Sequence, residues 1–408
     1  MPEVTPDGRS PDAASGWCQV RRVLAGCAAL AIAAMGAGPA LADDPSAAPG
    51  TLPGIAQQRT GNGCLPAGGT PVTAVPWPQA YLRPDQAWPL AEGQGVTVAV
   101  LGSGADDTAG ALGGRLTRAP RLPGGGGDPA RDCVGHGTFL ADLIAAARHD
   151  GTGFAGVAPA ARLLAVGVTD DTGATNPALL AAGLRTAADA GARVICVGAT
   201  VPQGSDELHD AVRYAVAKGA LVVAPAGADS GQQPLAAAYP AGYPEVLAVR
   251  DLGPGGAPAT NTSYAGGVDL AAPGDSVMSL GPGGTGYFTG SGASFAAAFT
   301  SGAAALVLSR TPDLTPTQLT HRLLTTAYPS AVPSLDLVAA VTDAAPTSTS
   351  PAPSPPLSAL AMPTRPKPSP APAQAVTVAL AALAAALLTG LAALVVPRGR
   401  RQGWRPGS

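Results

Sequence analysis

The chain has 408 residues, which is enough for one large α/β domain together with flanking segments. Only 12% of the residues are charged and the formal net charge is −3. This balance lacks the basic surface that nucleic-acid binding requires, so we predict no nucleic-acid partner.

The first 42 residues have the pattern of a secretory signal peptide. Arg21 and Arg22 precede an apolar run over 23–35, and small residues lead up to Ala42. A basic region, an apolar region and a small-residue cleavage site predict removal after Ala42. Lipidation of Cys27 is the disfavoured alternative, because a lipid-modified cysteine should follow the apolar run rather than open it.

Residues 43–93 are rich in proline and glycine and have no sustained periodicity. They are typical of an extension packed on a domain, not of a separate domain.

From residue 94 to 345, short apolar runs alternate with amphipathic segments. This alternation predicts an α/β domain with a mostly parallel sheet and helices on both faces. The predicted strands cover 96–101, 161–168, 193–197, 220–224 and 246–250, and the predicted helices cover 136–147, 177–190, 207–218, 294–309 and 315–326.

Residues 346–373 form a proline-rich linker with no apolar pattern. Residues 374–397 form an almost uninterrupted apolar segment, long enough to cross a bilayer. The tail, 398–408, carries four arginines: Arg398, Arg400, Arg401 and Arg405. The positive-inside rule therefore predicts a single-pass protein of the cell membrane, with an extracytoplasmic domain and a cytoplasmic tail. A buried core helix is the disfavoured alternative, because the segment stands alone behind the linker.

Three cysteines remain after removal of the signal peptide. Cys196 lies in the apolar strand 193–197 and is expected to be buried as a free thiol. In an oxidising compartment, this favours a disulfide between Cys64 and Cys133.

Two short blocks carry residues suited to nucleophilic catalysis. His136 stands in Gly-His-Gly-Thr (135–138), and Ser294 stands in Gly-Ser-Gly-Ala-Ser-Phe-Ala (290–296). A serine hydroxyl needs a nearby base, and histidine has a suitable pKa. Each residue opens a predicted helix, where backbone amides stabilise negative charge. Either block alone could be an ordinary capped helix start, but together they predict a nucleophile and its base.

The two blocks and the sequence segments that flank them resemble those of the subtilisin-like serine proteases of family S8. The flanking resemblance covers 132–138, 153–159, 239–249 and 268–274. Within that family the signal peptide, extension, linker and anchor most resemble the mycosins, the membrane-anchored proteases of type VII secretion. The resemblance implies a subtilisin-like fold, catalytic roles for His136 and Ser294, and association with the type VII secretion membrane complex and secreted polypeptides.

The departures from the family pattern concentrate where catalysis occurs. The triad aspartate position holds Gly102, and the oxyanion asparagine position holds Ala228. The substrate-binding Ser-Leu-Gly segment is replaced by Gly198, Ala199 and Thr200. Ala298 replaces a proline after the nucleophile, and Asp142 replaces a glycine in the histidine helix.

In subtilisin, loss of the triad aspartate alone lowers kcat by about 3 × 10⁴. Other carboxylates that could substitute are expected to be ordinary surface residues: Asp106, Asp107, Asp132 and Asp142. We therefore favour a catalytically impaired pseudoprotease that acts as an extracytoplasmic scaffold or peptide-binding domain. The alternative is an active serine endopeptidase that uses Ser294 and His136 on a secreted substrate.

The sequence predicts no cofactor and no metal site. His149, His209 and His321 are isolated from one another, and Asp170 and Asp171 are interpreted as solvated loop charge rather than calcium ligands.

Overall fold

The structure is a computed structural model that describes residues 52–59, 63–124, 131–229, 235–259, 264, 266–343 and 380–390. Contacts divide the chain into two units, with the boundary between Ala345 and Pro346. The predicted signal peptide, the linker, most of the anchor and the cytoplasmic tail lie outside the described residues.

The first unit is an α/β domain built on a parallel seven-stranded sheet, as the sequence predicts. Its strand order is β2-β3-β1-β4-β5-β6-β7, and every neighbouring pair is parallel. A separate antiparallel pair is formed by β8 and β9. The strands are β1 Thr97–Gly102, β2 Leu116–Arg118, β3 Arg162–Gly167, β4 Val194–Val197, β5 Leu221–Pro225, β6 Leu247–Leu252, β7 Leu270–Pro273, β8 Val277–Leu280 and β9 Tyr287–Gly290.

Helices cover both faces of the sheet, so the strands alternate between two apolar cores. Along β1, Val98 and Val100 pack into one core, and Ala99 and Leu101 pack into the other. The helices are α1 Trp77–Leu82, α2 Pro84–Ala87, α3 His136–Ala145, α4 Pro177–Asp189, α5 Asp206–Ala217, α6 Ala293–Arg310, α7 Pro316–Thr325 and α8 Leu337–Thr342. Helices α4 and α5 cover one face, while α3, α6, α7 and α8 contribute to the core on the other.

The segment before β1 lies along the domain and makes backbone hydrogen bonds to it at separated points. The Ile55 N–H donates to the Thr289 carbonyl at 2.8 Å, and the Thr289 N–H donates to the Pro53 carbonyl at 2.9 Å. The Arg59 N–H donates to the Thr172 carbonyl at 2.9 Å. This segment also contains the short helices α1 and α2, which its composition did not predict.

Helix α6 is the one helix in the described residues that is long and apolar enough to cross a membrane. It packs against β4–β7 and α3 and is almost completely buried, so it is a core helix of the domain. Within the predicted anchor, Leu380–Gly390 is a shorter apolar helix.

The cysteines are arranged as predicted. Cys64 and Cys133 form a disulfide, and Cys196 is a free, buried cysteine on β4. Burial raises the pKa of the Cys196 thiol to about 12, although a hydrogen bond with Ser301 opposes this effect. Cys196 is therefore a thiol with the packing role of a small apolar side chain.

Candidate active site

Ser294 is the second residue of α6, where the chain leaves β9 and turns into the core. A hydroxyl at this point lies beside the first N–H groups of the helix, which have no partner within the helix. The side chain is buried, with 1% of the residue exposed. Gly292 precedes the helix, and a Cβ there would lie 2.1 Å from a carboxylate oxygen of Asp229. Glycine is therefore required for that carboxylate to approach Ser294.

His136 is the first residue of α3 and is held there by a capped helix start. Asp132 accepts hydrogen bonds from the Gly135 N–H, the Thr138 N–H and the Thr138 hydroxyl, each at 2.7 Å. The Ser103 hydroxyl, just after β1, accepts from the Gly137 N–H at 3.0 Å. These contacts fix the helix end and thus the starting position of the histidine ring.

The structure brings the two predicted residues together. His136 Nε2 lies 2.9 Å from Ser294 Oγ, although the two residues are 158 positions apart in the sequence. The ring of His136 also packs against Phe295, with the ring centroids 5.3 Å apart. Parallel strands place their carboxyl ends at one edge of the sheet, and both residues lie in connections at that edge.

Asp229 is the third member of this cluster, although it lies outside the recognisable sequence blocks. Its Oδ2 lies 3.0 Å from His136 Nε2 and 2.5 Å from Ser294 Oγ, and its Oδ1 accepts from the Ser294 N–H at 3.0 Å. The carboxylate is almost completely buried, as are both partners. The three side chains therefore form a closed triangle of hydrogen-bonding atoms.

Asp229 does not occupy the position of a triad aspartate. In a Ser-His-Asp triad, serine contacts Nε2 and aspartate contacts Nδ1 on the opposite side of the ring. Here both Ser294 and Asp229 contact Nε2, and no carboxylate among the described residues hydrogen-bonds to Nδ1. Gly102, at the predicted triad position, ends β1, and a Cβ there would meet only Gly137 Cα at 3.7 Å.

The predicted substrate-binding residues follow β4. A Cβ at Gly198 would lie 2.5 Å from the Leu140 side chain and 3.7 Å from His136 Cε1, so this segment borders the histidine. Ala199 is buried, and Thr200 is half-buried. Ala228 is buried beside this site, but the side chain that reaches Ser294 from its loop belongs to the next residue, Asp229.

The expectation of exposed carboxylates is wrong for Asp132 and Asp142. Asp132 is buried because it caps α3, and Asp142 is buried because every residue of α3 is covered by neighbouring elements. Asp142 Oδ1 has no hydrogen-bond partner in the described part of the chain. Burial raises the pKa of Asp142 well above its usual range, and the charges of Asp107 and Asp106 raise it further against the opposing effect of Arg115.

The raised pKa of Asp142 predicts a pH-dependent stability. The folded protein holds this proton more tightly than the unfolded chain does, so the contribution of Asp142 to stability is complete below about pH 4 and is lost as pH rises toward the folded-state pKa. We expect Asp142→Asn to raise Tm near pH 7.5 and to flatten the Tm profile above about pH 4. Differential scanning fluorimetry across this range measures both effects.

Asp150→Asn is the control, because Asp150 is an exposed carboxylate near the end of the same helix. A wild-type profile that rises from pH 4 to neutrality, with Asp142→Asn less stable throughout, would contradict the assignment.

No group of three or more histidine, cysteine, aspartate or glutamate side chains in the described part of the chain is arranged to hold a metal ion. The Ser294 and His136 side chains are residue types suited to nucleophilic chemistry and proton transfer.

Comparisons with known proteins identify the family of this chain. The sequence profile of the subtilase family, Peptidase S8, matches residues 93–353. The chain belongs to the subtilase family. This subtilase is 34% identical to Mycosin-1 of Mycobacterium tuberculosis over 333 residues, which cover 67% of this chain and 73% of the relative.

Similarity to solved structures agrees with this family assignment. The crystal structure of MycP1 from the ESX-1 type VII secretion system aligns with a TM-score of 0.59 and 32% identity, over 74% of this chain and 97% of that chain. A chain in the structure of the periplasmic assembly from the ESX-5 inner membrane complex aligns with a TM-score of 0.62 and 27% identity, over 79% of this chain and 98% of that chain. The subtilase described here is therefore mycosin-like.

Proposed function

We propose that this subtilase is a membrane-anchored component of a type VII secretion complex whose peptidase domain does not turn over peptides. In this role the domain is an extracytoplasmic scaffold or a peptide-binding unit. Gly102 carries the proposal, because a glycine at this position supplies no carboxylate to hold His136 in the tautomer whose Nε2 can accept the Ser294 proton.

The sequence and the relatives support the proposed location. A signal peptide, a proline-rich linker and an apolar segment followed by arginines support an anchored protein with its domain outside the cytoplasm. The likeness to a chain of the ESX-5 periplasmic assembly supports a partner in the type VII membrane complex.

An active serine endopeptidase is the second candidate. The observation in its favour is the 2.9 Å distance between His136 Nε2 and Ser294 Oγ, which is within hydrogen-bond reach. In this candidate, Ser294 attacks a peptide carbonyl of a secreted protein, and residues 198–200 line the cleft.

A replacement experiment in the host cell separates the two candidates. We expect a chromosomal Ser294→Ala copy to support secretion at the wild-type level, whereas deletion of the gene abolishes it. Immunoblotting of secreted proteins and isolation of the membrane complex provide the measurements.

Gly156→Val is the matched loss-of-fold control, because a Cβ at Gly156 would lie 2.4 Å from the Ala146 backbone nitrogen. This variant should behave like the deletion. Equal loss of secretion in the Ser294→Ala and deletion strains would reject the scaffold and establish the peptidase.

A further inference from the structure

We propose that Asp229 is an internal inhibitor of the Ser294–His136 pair, with its carboxylate held where the oxyanion of a reacting carbonyl would lie. This inference rests on the proposed function, since it supplies a second and separable reason for the absence of turnover. The inhibitory group belongs to the domain itself and comes from the loop after β5.

The position of the Asp229 carboxylate supports this role. During acyl transfer the developing oxyanion is bound by backbone N–H groups, including that of the nucleophilic serine. In this subtilase the Ser294 N–H donates to Asp229 Oδ1 at 3.0 Å. Asp229 Oδ2 lies 2.5 Å from Ser294 Oγ, so the carboxylate contacts both the nucleophile and an oxyanion donor. A substrate carbonyl cannot enter while these contacts persist.

The positions of the protons in the cluster support the same role. An ionised carboxylate only accepts hydrogen bonds, so the Ser294 hydroxyl and His136 Nε2 must both donate toward Asp229. A protonated Nε2 cannot take the proton of Ser294, and the serine proton already points to another acceptor. The contact with Asp229 therefore opposes the proton arrangement that general-base catalysis requires.

The burial of the cluster also supports an inhibitory role for Asp229. The side chains of His136 and Asp229 are each only 2% exposed. A buried carboxylate is costly unless several donors surround it. The Ser294 N–H, the Ser294 hydroxyl and His136 Nε2 supply those donors, and Gly292 leaves the space that the carboxylate fills. The local structure thus supplies both the space and the hydrogen-bond donors that the buried carboxylate requires.

The test uses phenylboronic acid on the full-length protein. Ser294 Oγ adds to the trigonal boron and forms a B–O bond, its proton passes to His136, and the boron becomes a tetrahedral anion that requires the oxyanion position. We expect Asp229→Asn to bind this probe at least about 10-fold more tightly than the wild type, because an amide of the same shape removes the charge and offers an N–H donor. Isothermal titration calorimetry measures the affinity, and ¹¹B NMR detects the tetrahedral species.

Three further variants complete the design. Asp229→Ala removes the carboxylate without adding a donor, so its affinity for phenylboronic acid should rise by a smaller factor. This variant also tests the proposal if Asp229→Asn does not fold. Asp189→Asn is the matched carboxylate-to-amide control on an exposed helix end and should leave affinity unchanged. Ser294→Ala should abolish the tetrahedral ¹¹B signal in every background.

Folded Asp229→Asn and Asp229→Ala proteins that bind the probe no better than the wild type would overturn the inhibitory role of Asp229. This outcome leaves the proposed function intact if the wild type hydrolyses no peptide. Hydrolysis of peptides by the wild type, abolished by Ser294→Ala, would instead reject both proposals.

Discussion

The double variant Gly102→Asp/Asp229→Asn is expected to hydrolyse peptide substrates on the order of 10² times faster than either single variant, since loss of the triad aspartate alone costs subtilisin about 3 × 10⁴. Gly102→Asp alone supplies a carboxylate for His136 but leaves Asp229 on Ser294. Asp229→Asn alone frees the serine but leaves the histidine without a partner at Nδ1. Each substitution removes one of two independent obstacles to catalysis, so the increase in rate requires both substitutions.

The backbone has room for the first substitution. A Cβ at Gly102 contacts only Gly137 Cα at 3.7 Å. Gly167 provides the matched control, because it pairs with Gly102 across β1 and β3 and nothing lies within 4 Å of its ideal Cβ. Asp229→Asn combined with Gly167→Asp should remain as slow as Asp229→Asn alone.

Release of a chromogenic leaving group from a series of peptide anilides measures the rates, and Ser294→Ala in the double variant gives the background. A folded double variant that binds phenylboronic acid but hydrolyses no peptide would contradict this prediction. That result would place the remaining catalytic defect in the segment at Gly198, where the sequence also departs from the family pattern.

Removal of the disulfide has the second large expected effect. Cys64 and Cys133 are 69 positions apart, and a crosslink over such a loop stabilises a fold by about 4 kcal/mol in the chain-entropy model. The Cys64→Ser/Cys133→Ser variant should therefore have a Tm lower by about 10 °C. Cys196→Ala is the control that keeps the disulfide, and its Tm should change far less.

The same bond holds the extension against the start of α3. The Leu65 N–H donates to the Cys133 carbonyl at 2.8 Å, and the Ile55 and Leu65 side chains lie where a Cβ of Gly135 would be. Peptide mapping under non-reducing conditions checks the pairing directly. Recovery of Cys64 in alkylated form, or joined to Cys196, would contradict it.

The sequence predicts the large elements well because they carry strong periodic signals. Each predicted strand and helix of the domain has a counterpart in the structure within one or two residues at its ends. The unpredicted elements are short, such as β2 with three residues and α2 with four. Such segments have too few residues for a pattern, and long-range contacts determine their conformation.

The site was only partly predictable for a different reason. His136 and Ser294 stand in recognisable blocks, whereas Asp229 follows the position at which a motif would place an asparagine. Its role depends on the course of the loop after β5, which brings it to a serine 65 positions away. The burial of Asp142 was equally unpredictable from the sequence, because the exposure of a helix residue depends on the elements that cover it.

The hydrogen bonds between the extension and Thr289 bear on how the folded domain meets other chains. Strand β9 pairs with β8 on one side, and on its other side the backbone of Thr289 would be unpaired without Pro53 and Ile55. Unpaired strand edges recruit further strands and promote aggregation. Residues 53–55 therefore protect this edge at Thr289, and a protease that removed them would leave that part of β9 open to a strand from another molecule.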